Sequence, residues 1–195
     1  EEDDKLCDIA KKNNIKYFRG SVEDKLDRWH NACKQYGVDF FVTADGDDLF
    51  CSHELMDLAF SQYEKNDSEF IQGSGLVSGS FTYGIASSAL SKACAIKTTN
   101  KTEMMWVYFT ETDICKVEDL EGVPEVFLRD DLRMTLDYQE DLVFFKTVIK
   151  NLGIDATMRD VLIFLDNNKE IKEINYFLEE QWKQNQESKT TLEIV

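Results

Sequence analysis

Apolar residues recur along this chain in two rhythms, and each rhythm predicts an element. In DKLCDIAKKNNI, Leu6, Ile9 and Ala10 fall at helical spacing and predict a helix over residues 4–13. IKYFRGS reads as a short strand ending at Arg19 and Gly20. Ser21 followed by Asp24 has the capping-box pattern for a helix to about residue 35, with Gly37 as its stop. VDFFVTA is a continuous apolar run, the pattern of a strand covered on both faces. Ser52 then caps a helix over 53–65, and SEFIQGS is a further strand.

The middle, residues 73–126, is less regular. SFTYGIAS predicts a strand that leads into a helix over 88–96. EMMWVYFTET reads as extended and apolar, and the single proline, Pro124, marks a loop. LRMTL predicts another strand and residues 139–152 another helix. After Gly153 come two expected helices, 158–166 and 170–184, and then a polar, frayed end from Asn185. Alternating helices and strands define an α/β protein with a doubly wound, mostly parallel sheet and a C-terminal helical tail. The expected division is a core over 1–152 and a tail over 153–195.

Two acidic residues sit where such a sheet binds ligands. Asp45 follows the strand in FFVTADGDDLF and Asp137 follows the strand in LRMTLDYQEDL, each before a helix. Ligands of open α/β sheets bind just outside the carboxyl ends of the strands. Two carboxylates there can share a hard cation such as Mg²⁺, which keeps bound phosphates and waters. Each has a plainer reading. Asp137 with Glu140 is a capping box, and one oxygen can cap while the other binds metal. Asp45-Gly46 is a turn dipeptide, crowded by Asp47 and Asp48. An EF-hand is excluded, because the loop lacks the glycine and the ligand register.

Net charge is −16, with 22 Lys and Arg among 195 residues. Such a balance argues against nucleic-acid binding, which neutralises phosphates with Lys and Arg, and against a polybasic membrane patch. A single nucleotide is still admissible. Five cysteines without a C-x-x-C pair suit reduced thiols in the cytoplasm. His53-Glu54 does not extend to H-E-x-x-H, and GSGLVSGS lacks the Lys-Ser or Lys-Thr of a phosphate loop.

Four segments, in order, resemble the cytidylyltransferases that activate sugars for surface polysaccharides, especially the spore-coat-polysaccharide type, with relatives that make CMP-linked keto sugar acids. YFRGSVEDKLDRW is similar to the family's Gly-Ser, acidic, Asp, x-Leu-Asp-Arg segment, and VTADGDDLFCSHEL to its strand-end acidic segment. LRMTLDYQEDL resembles its Arg-Leu-Thr-x-Asp-x-x-Glu-Asp-Leu motif, and MRDVLIFLDNNKEIKEIN its helical tail, down to the Ile-Asn pair. DGDDLF lacks the family's usual proline.

The resemblance implies a nucleotide-diphospho-sugar transferase-like fold, Mg²⁺ on Asp45 and Asp137, and CTP with a sugar or sugar-acid acceptor. It implies nucleotide contacts from Arg19, Gly20 and Ser21, which otherwise read as a turn and cap, and from Arg28, otherwise a surface arginine. No catalytic residue beyond the metal ligands is implied. The family's first strand and its Arg- and Lys-rich phosphate loop have no counterpart here, and the chain starts at Glu1 rather than Met. The expectation is a chain lacking that unit, with an open place in its sheet. Two other readings stand beside this one: a non-catalytic chain of the same fold that binds a sugar or a partner, and a metal-dependent glycosyltransferase using Asp45 and Asp47. The apolar stretch 104–109 reads by default as core packing, with a subunit interface as the alternative, and a homodimer contact there is the expectation to be tested.

Overall fold

The computed structural model describes residues 3–194; the first two residues of the expected core and Val195 of the expected tail lie outside that range. Four short strands form one sheet: β1 (Phe40–Val42), β2 (Phe70–Gln72), β3 (Tyr83–Ala86) and β4 (Val117–Asp119). Their spatial order is β1-β3-β2-β4. β3 runs antiparallel to both β1 and β2, whereas β4 is parallel to β2. Three strands therefore share one direction and present their carboxyl ends at one edge.

The pleat divides the sheet into two cores. Phe40 faces Ala86 across one pair, and Phe41 faces Ile85 across the next. Phe40, Ile71 and Ala86 belong to one buried cluster, with Leu55 and Ala59 of α3 (His53–Asn66) and Phe144, Phe145 and Val148 of α6 (Gln139–Leu152). Val161, Leu162 and Leu165 of α7 (Met158–Asn167) complete that side, so part of the tail is packed into the core. Phe70 and Ile85 face the opposite way. They meet Leu26 and Cys33 of α2 (Lys25–Tyr36) and Ala89, Leu90 and Ala93 of α4 (Ser87–Ile96). Helices on both faces explain why the strands read as apolar runs rather than alternating ones.

Helix boundaries follow local chemistry. Ser52 accepts the N–H of Leu55 to start α3, and Gly37 ends α2 in the left-handed conformation. The first predicted helix is α1 (Asp4–Lys12).

Several expected elements take another form. IKYFRGS forms no strand; side chains of α2 bond carbonyls at Tyr17 and Ser21, and at Val22 just after it, in place of a ladder. Tyr36 donates to the carbonyl of Tyr17 at 2.7 Å, and Arg28 donates to those of Ser21 and Val22. Gly20 permits this close approach, since a Cβ there would lie 2.8 Å from the Phe18 ring and 3.1 Å from Arg28. The capping pattern also shifts: Asp24, not Ser21, is the cap of α2 and accepts the N–H of Asp27 at 3.1 Å.

LRMTL is buried and forms only an isolated bridge, Ser78 with Arg133. It is threaded between loops, with Leu136 donating to the carbonyl of Asp47 at 3.0 Å. Gly79 makes room for it. At φ +79° a Cβ would lie 2.4 Å from the Met134 carbonyl oxygen.

Residues 104–109 are helical rather than extended at their end, as α5 (Val107–Thr110). Met105, Val107, Tyr108 and Phe109 are buried within the chain, with Phe109 stacked on Phe70 at 4.6 Å. Core packing accounts for these four side chains, which belong to the second core. The expected helix over 170–184 is broken into α8 (Lys169–Lys172), a 3-10 turn (Tyr176–Leu178) and α9 (Glu179–Lys189). Asn175 causes the break by leaving the helix pattern to donate to the Arg133 carbonyl at 3.1 Å and to Asp141 at 2.9 Å. The end is less frayed than expected, since Ile194 bridges to Lys97. Among the described residues, no helix is long and apolar enough to cross a membrane.

Candidate active site

At the carboxyl edge of the sheet a cavity of about 810 Å³ is lined by Asp45, Asp47, Asp48 and Asp137. Gln72, Gly73 and Ser74, which follow β2, line it too. Its far wall is one face of α9: Glu179, Trp182, Lys183 and Gln186 recur at helical spacing. The two candidate metal ligands, distant in sequence, thus open into the same space.

The carboxylates feel one another. Asp48 is pushed up to about 7, first by burial and then by the charge of Asp47, with Asp45 and Asp137 adding to the effect. Asp47 is raised by burial, then by Asp137 and Asp45. Burial comes first in both shifts, and the neighbouring carboxylates add to it. Two of the four are balanced by cations: Lys25 lies 3.3 Å from Asp45, and Arg133 lies 2.7 Å from Asp137.

These donors suit Mg²⁺ better than a closed cage. Among the described residues no three His, Cys, Asp or Glu side chains cluster tightly enough to hold a metal by themselves. Mg²⁺ needs only one or two carboxylates when phosphates and waters supply the rest. The hard-oxygen chemistry of Asp45 and Asp137 fits that requirement.

The capping box expected from Asp137 and Glu140 is shifted by one residue, to Tyr138 and Asp141. Asp141 does the capping, accepting the N–H of Tyr138 at 2.8 Å and of Asp137 at 2.9 Å. The Asp137 side chain is left outside the cap and 29% exposed toward the cavity.

A second cleft, about 630 Å³, adjoins the first and shares Lys25, Asp45 and Glu103 with it. Trp29, Arg28, Phe41 and Val42 line it along β1, whose outer edge has no strand partner among the described residues. Arg28 is therefore brought near Asp45. Arg19 is not: it pairs with Asp4, and neither it, Gly20 nor Ser21 lines either cleft. The N-terminus of α2 is occupied by Asp24, which also holds Lys97 at 2.5 Å and Thr102 at 2.8 Å. Burial pushes the Asp24 carboxyl up, but Lys97, the Asp27 N–H and Thr102 outweigh it and hold the group below its ordinary value.

The residues missed from sequence are Lys25, Arg133, Glu179 and Trp182. Arg133 had a signal: an arginine between the apolar Leu132 and Met134 of LRMTL, if buried with them, requires anionic partners. Glu179 and Trp182 had none, because nothing local to them shows that α9 folds back over the sheet edge.

This α/β architecture, with its acidic carboxyl edge, is that of a nucleotidyltransferase. It matches a solved cytidylyltransferase from Leptospira borgpetersenii serovar Hardjo-bovis, with a TM-score of 0.76 and 26% identity over 87% of this chain and 74% of the other. In sequence the chain is 31% identical to an uncharacterized protein of Methanocaldococcus jannaschii over 177 residues, 89% of this chain and 72% of that protein. The chain belongs to the family of this archaeal protein. No protein-family profile matches it.

Proposed function

We propose that this chain transfers a cytidylyl group from CTP to a sugar or sugar-acid acceptor, releasing pyrophosphate, in surface polysaccharide biosynthesis. The observation that carries the reading is the opening of Asp45 and Asp137 into one cavity, at the carboxyl edge of a cytidylyltransferase-like fold. CTP is a cytoplasmic metabolite, so the reading is of a cytoplasmic enzyme.

In this reading an acceptor oxygen attacks the α-phosphorus of CTP, the bond to the pyrophosphate oxygen breaks, and a hydroxyl proton passes to water. Such transfer relies on positioning and charge neutralisation rather than covalent participation by the protein. Asp45 and Asp137 would hold Mg²⁺, whose chemistry there would be to draw charge from the phosphate oxygens. Lys25, shared by both clefts, faces the phosphates, and Arg28 with Trp29 flanks the nucleoside side. The face of α9 with Trp182, Lys183 and Gln186 offers an aromatic ring, a cation and an amide to the acceptor.

The test is pyrophosphate release with Mg²⁺, each of the four NTPs in turn, and a panel of sugar acids and sugar phosphates. Release with CTP and one acceptor class is expected. Release with no NTP would sink the reading, and turnover of a nucleotide sugar would favour glycosyl transfer.

A further inference from the structure

Arg133 is among the largest fully buried side chains of the protein, at 1% exposure, yet it touches the candidate site. Its Nε donates to Asp141 Oδ1 at 3.0 Å, and its Nη2 donates to Asp141 Oδ2 at 3.1 Å and to Asp137 Oδ2 at 2.7 Å. Its Nη1 donates to Glu179 Oε2 at 3.3 Å. The guanidinium lies 5.3 Å from the ring centroids of both Tyr138 and Trp182. Asn185 of α9 also donates to the Tyr138 hydroxyl at 3.0 Å.

One planar cation therefore spans three elements: the extended segment before α6, the first turn of α6, and α9. Of its three anionic partners Asp137 and Glu179 line the cavity, and Asp137 is the more open of the two, 29% exposed against 9%. Asp137 Oδ2 is committed to Arg133, which leaves Oδ1 for a ligand. Carboxylates that bind metals are commonly oriented by a hydrogen bond of this kind from a neighbouring group. Glu179 and Trp182, which hold the other side of the guanidinium, belong to the helix that walls the same cavity.

We propose that Arg133 is a positioning residue: it aims Asp137 into the cavity and makes that aim depend on the seating of α9. The proposal rests on the reading of Asp137 as a cation ligand. It goes beyond that reading in assigning a function to Arg133 and in making α9 part of the same unit as the acidic edge. A lysine could keep the charge but could not hold Asp137, Asp141 and Glu179 at once in one plane.

The experiment measures Mn²⁺ binding by electron paramagnetic resonance on the purified protein with a non-hydrolysable CTP analogue at fixed concentration, against a protein-free control, for wild type, R133K, E179Q and D137N. Circular dichroism and melting establish that each variant is folded. Because R133K preserves charge, it tests geometry rather than electrostatics. Its Mn²⁺ affinity should fall about tenfold, the scale of losing an outer-shell partner, and E179Q, which keeps the Arg133 contacts to Asp137 and Asp141, should fall in the same direction by less. Unchanged Mn²⁺ affinity in a folded R133K overturns the proposal; if R133K does not fold, unchanged affinity in E179Q does so. Wild type that binds no Mn²⁺ overturns it together with the metal reading. Mn²⁺ binding that responds to both variants, with no turnover of any NTP, removes the cytidylyl reading and leaves the role of Arg133 standing.

Discussion

Asp141 accepts the backbone N–H of Asp137 at 2.9 Å and of Tyr138 at 2.8 Å, so the capping box is shifted by one residue, with Tyr138 at the N-cap and Asp141 in the place of Glu140. The two carboxylates share Arg133 but divide the labour. Asp141 is fully buried and structural, and Asp137 reaches the cavity.

Asp137→Asn should therefore leave α6 intact, with a melting temperature close to wild type. Pyrophosphate release should fall about a hundredfold, the scale of losing one preorganised electrostatic group, with partial rescue by raised Mg²⁺. Full turnover in the folded variant would remove Asp137 from the metal site.

Asp141→Ala should do the reverse to stability. It leaves the Arg133 charge buried with its closest two-oxygen partner gone, which costs about 3–5 kcal/mol. Urea denaturation at neutral pH measures it. A loss below about 1 kcal/mol, the scale of an exposed pair, would show that the network is not held together at this point.

The acidic loop should make stability fall as pH rises. Burial, then Asp47, pushes Asp48 up to about 7 from an ordinary 3.8. A carboxyl whose folded pKa is above its unfolded one keeps its proton more tightly in the folded state. The folded protein thus loses stability between about pH 4 and pH 7, and the loss is constant above that. In metal-free buffer, Asp48→Asn should melt like wild type at pH 4 and above it at pH 8. A gap independent of pH would contradict the assignment.

Phe109→Ala should behave as a core deletion. Phe109 is buried and stacked on Phe70, so its loss should cost about 3–5 kcal/mol. Light scattering should show the same oligomeric state as wild type. A change of state with little loss of stability would return this stretch to a subunit interface.

The parts legible in the sequence were those governed by neighbours along the chain. The spacing of apolar residues located α2, α3, α6 and α7 and three of the four strands, because periodicity and caps act within a few residues. Asp45 and Asp137 were legible as candidates because strand ends followed by helices put acidic residues at one known edge. IKYFRGS and LRMTL were misread as strands because a strand is a property of its partner: each has the right residues and no ladder to join. The stretch 104–109 looked like an interface because sequence shows that apolar residues must be covered but not by what.

By itself, then, the sequence determined most of the helices, three of the four strands, the strong negative charge and the two carboxylates worth watching. Tertiary structure alone decided that β3 runs against its neighbours, that Tyr138 and Asp141 rather than Asp137 and Glu140 form the capping box of α6, and that α9 returns to wall the cavity. Each of those depends on groups far apart in the chain meeting through space. Arg133 and Glu179, 46 positions apart, show why: neither has a reason to be buried until the other is beside it.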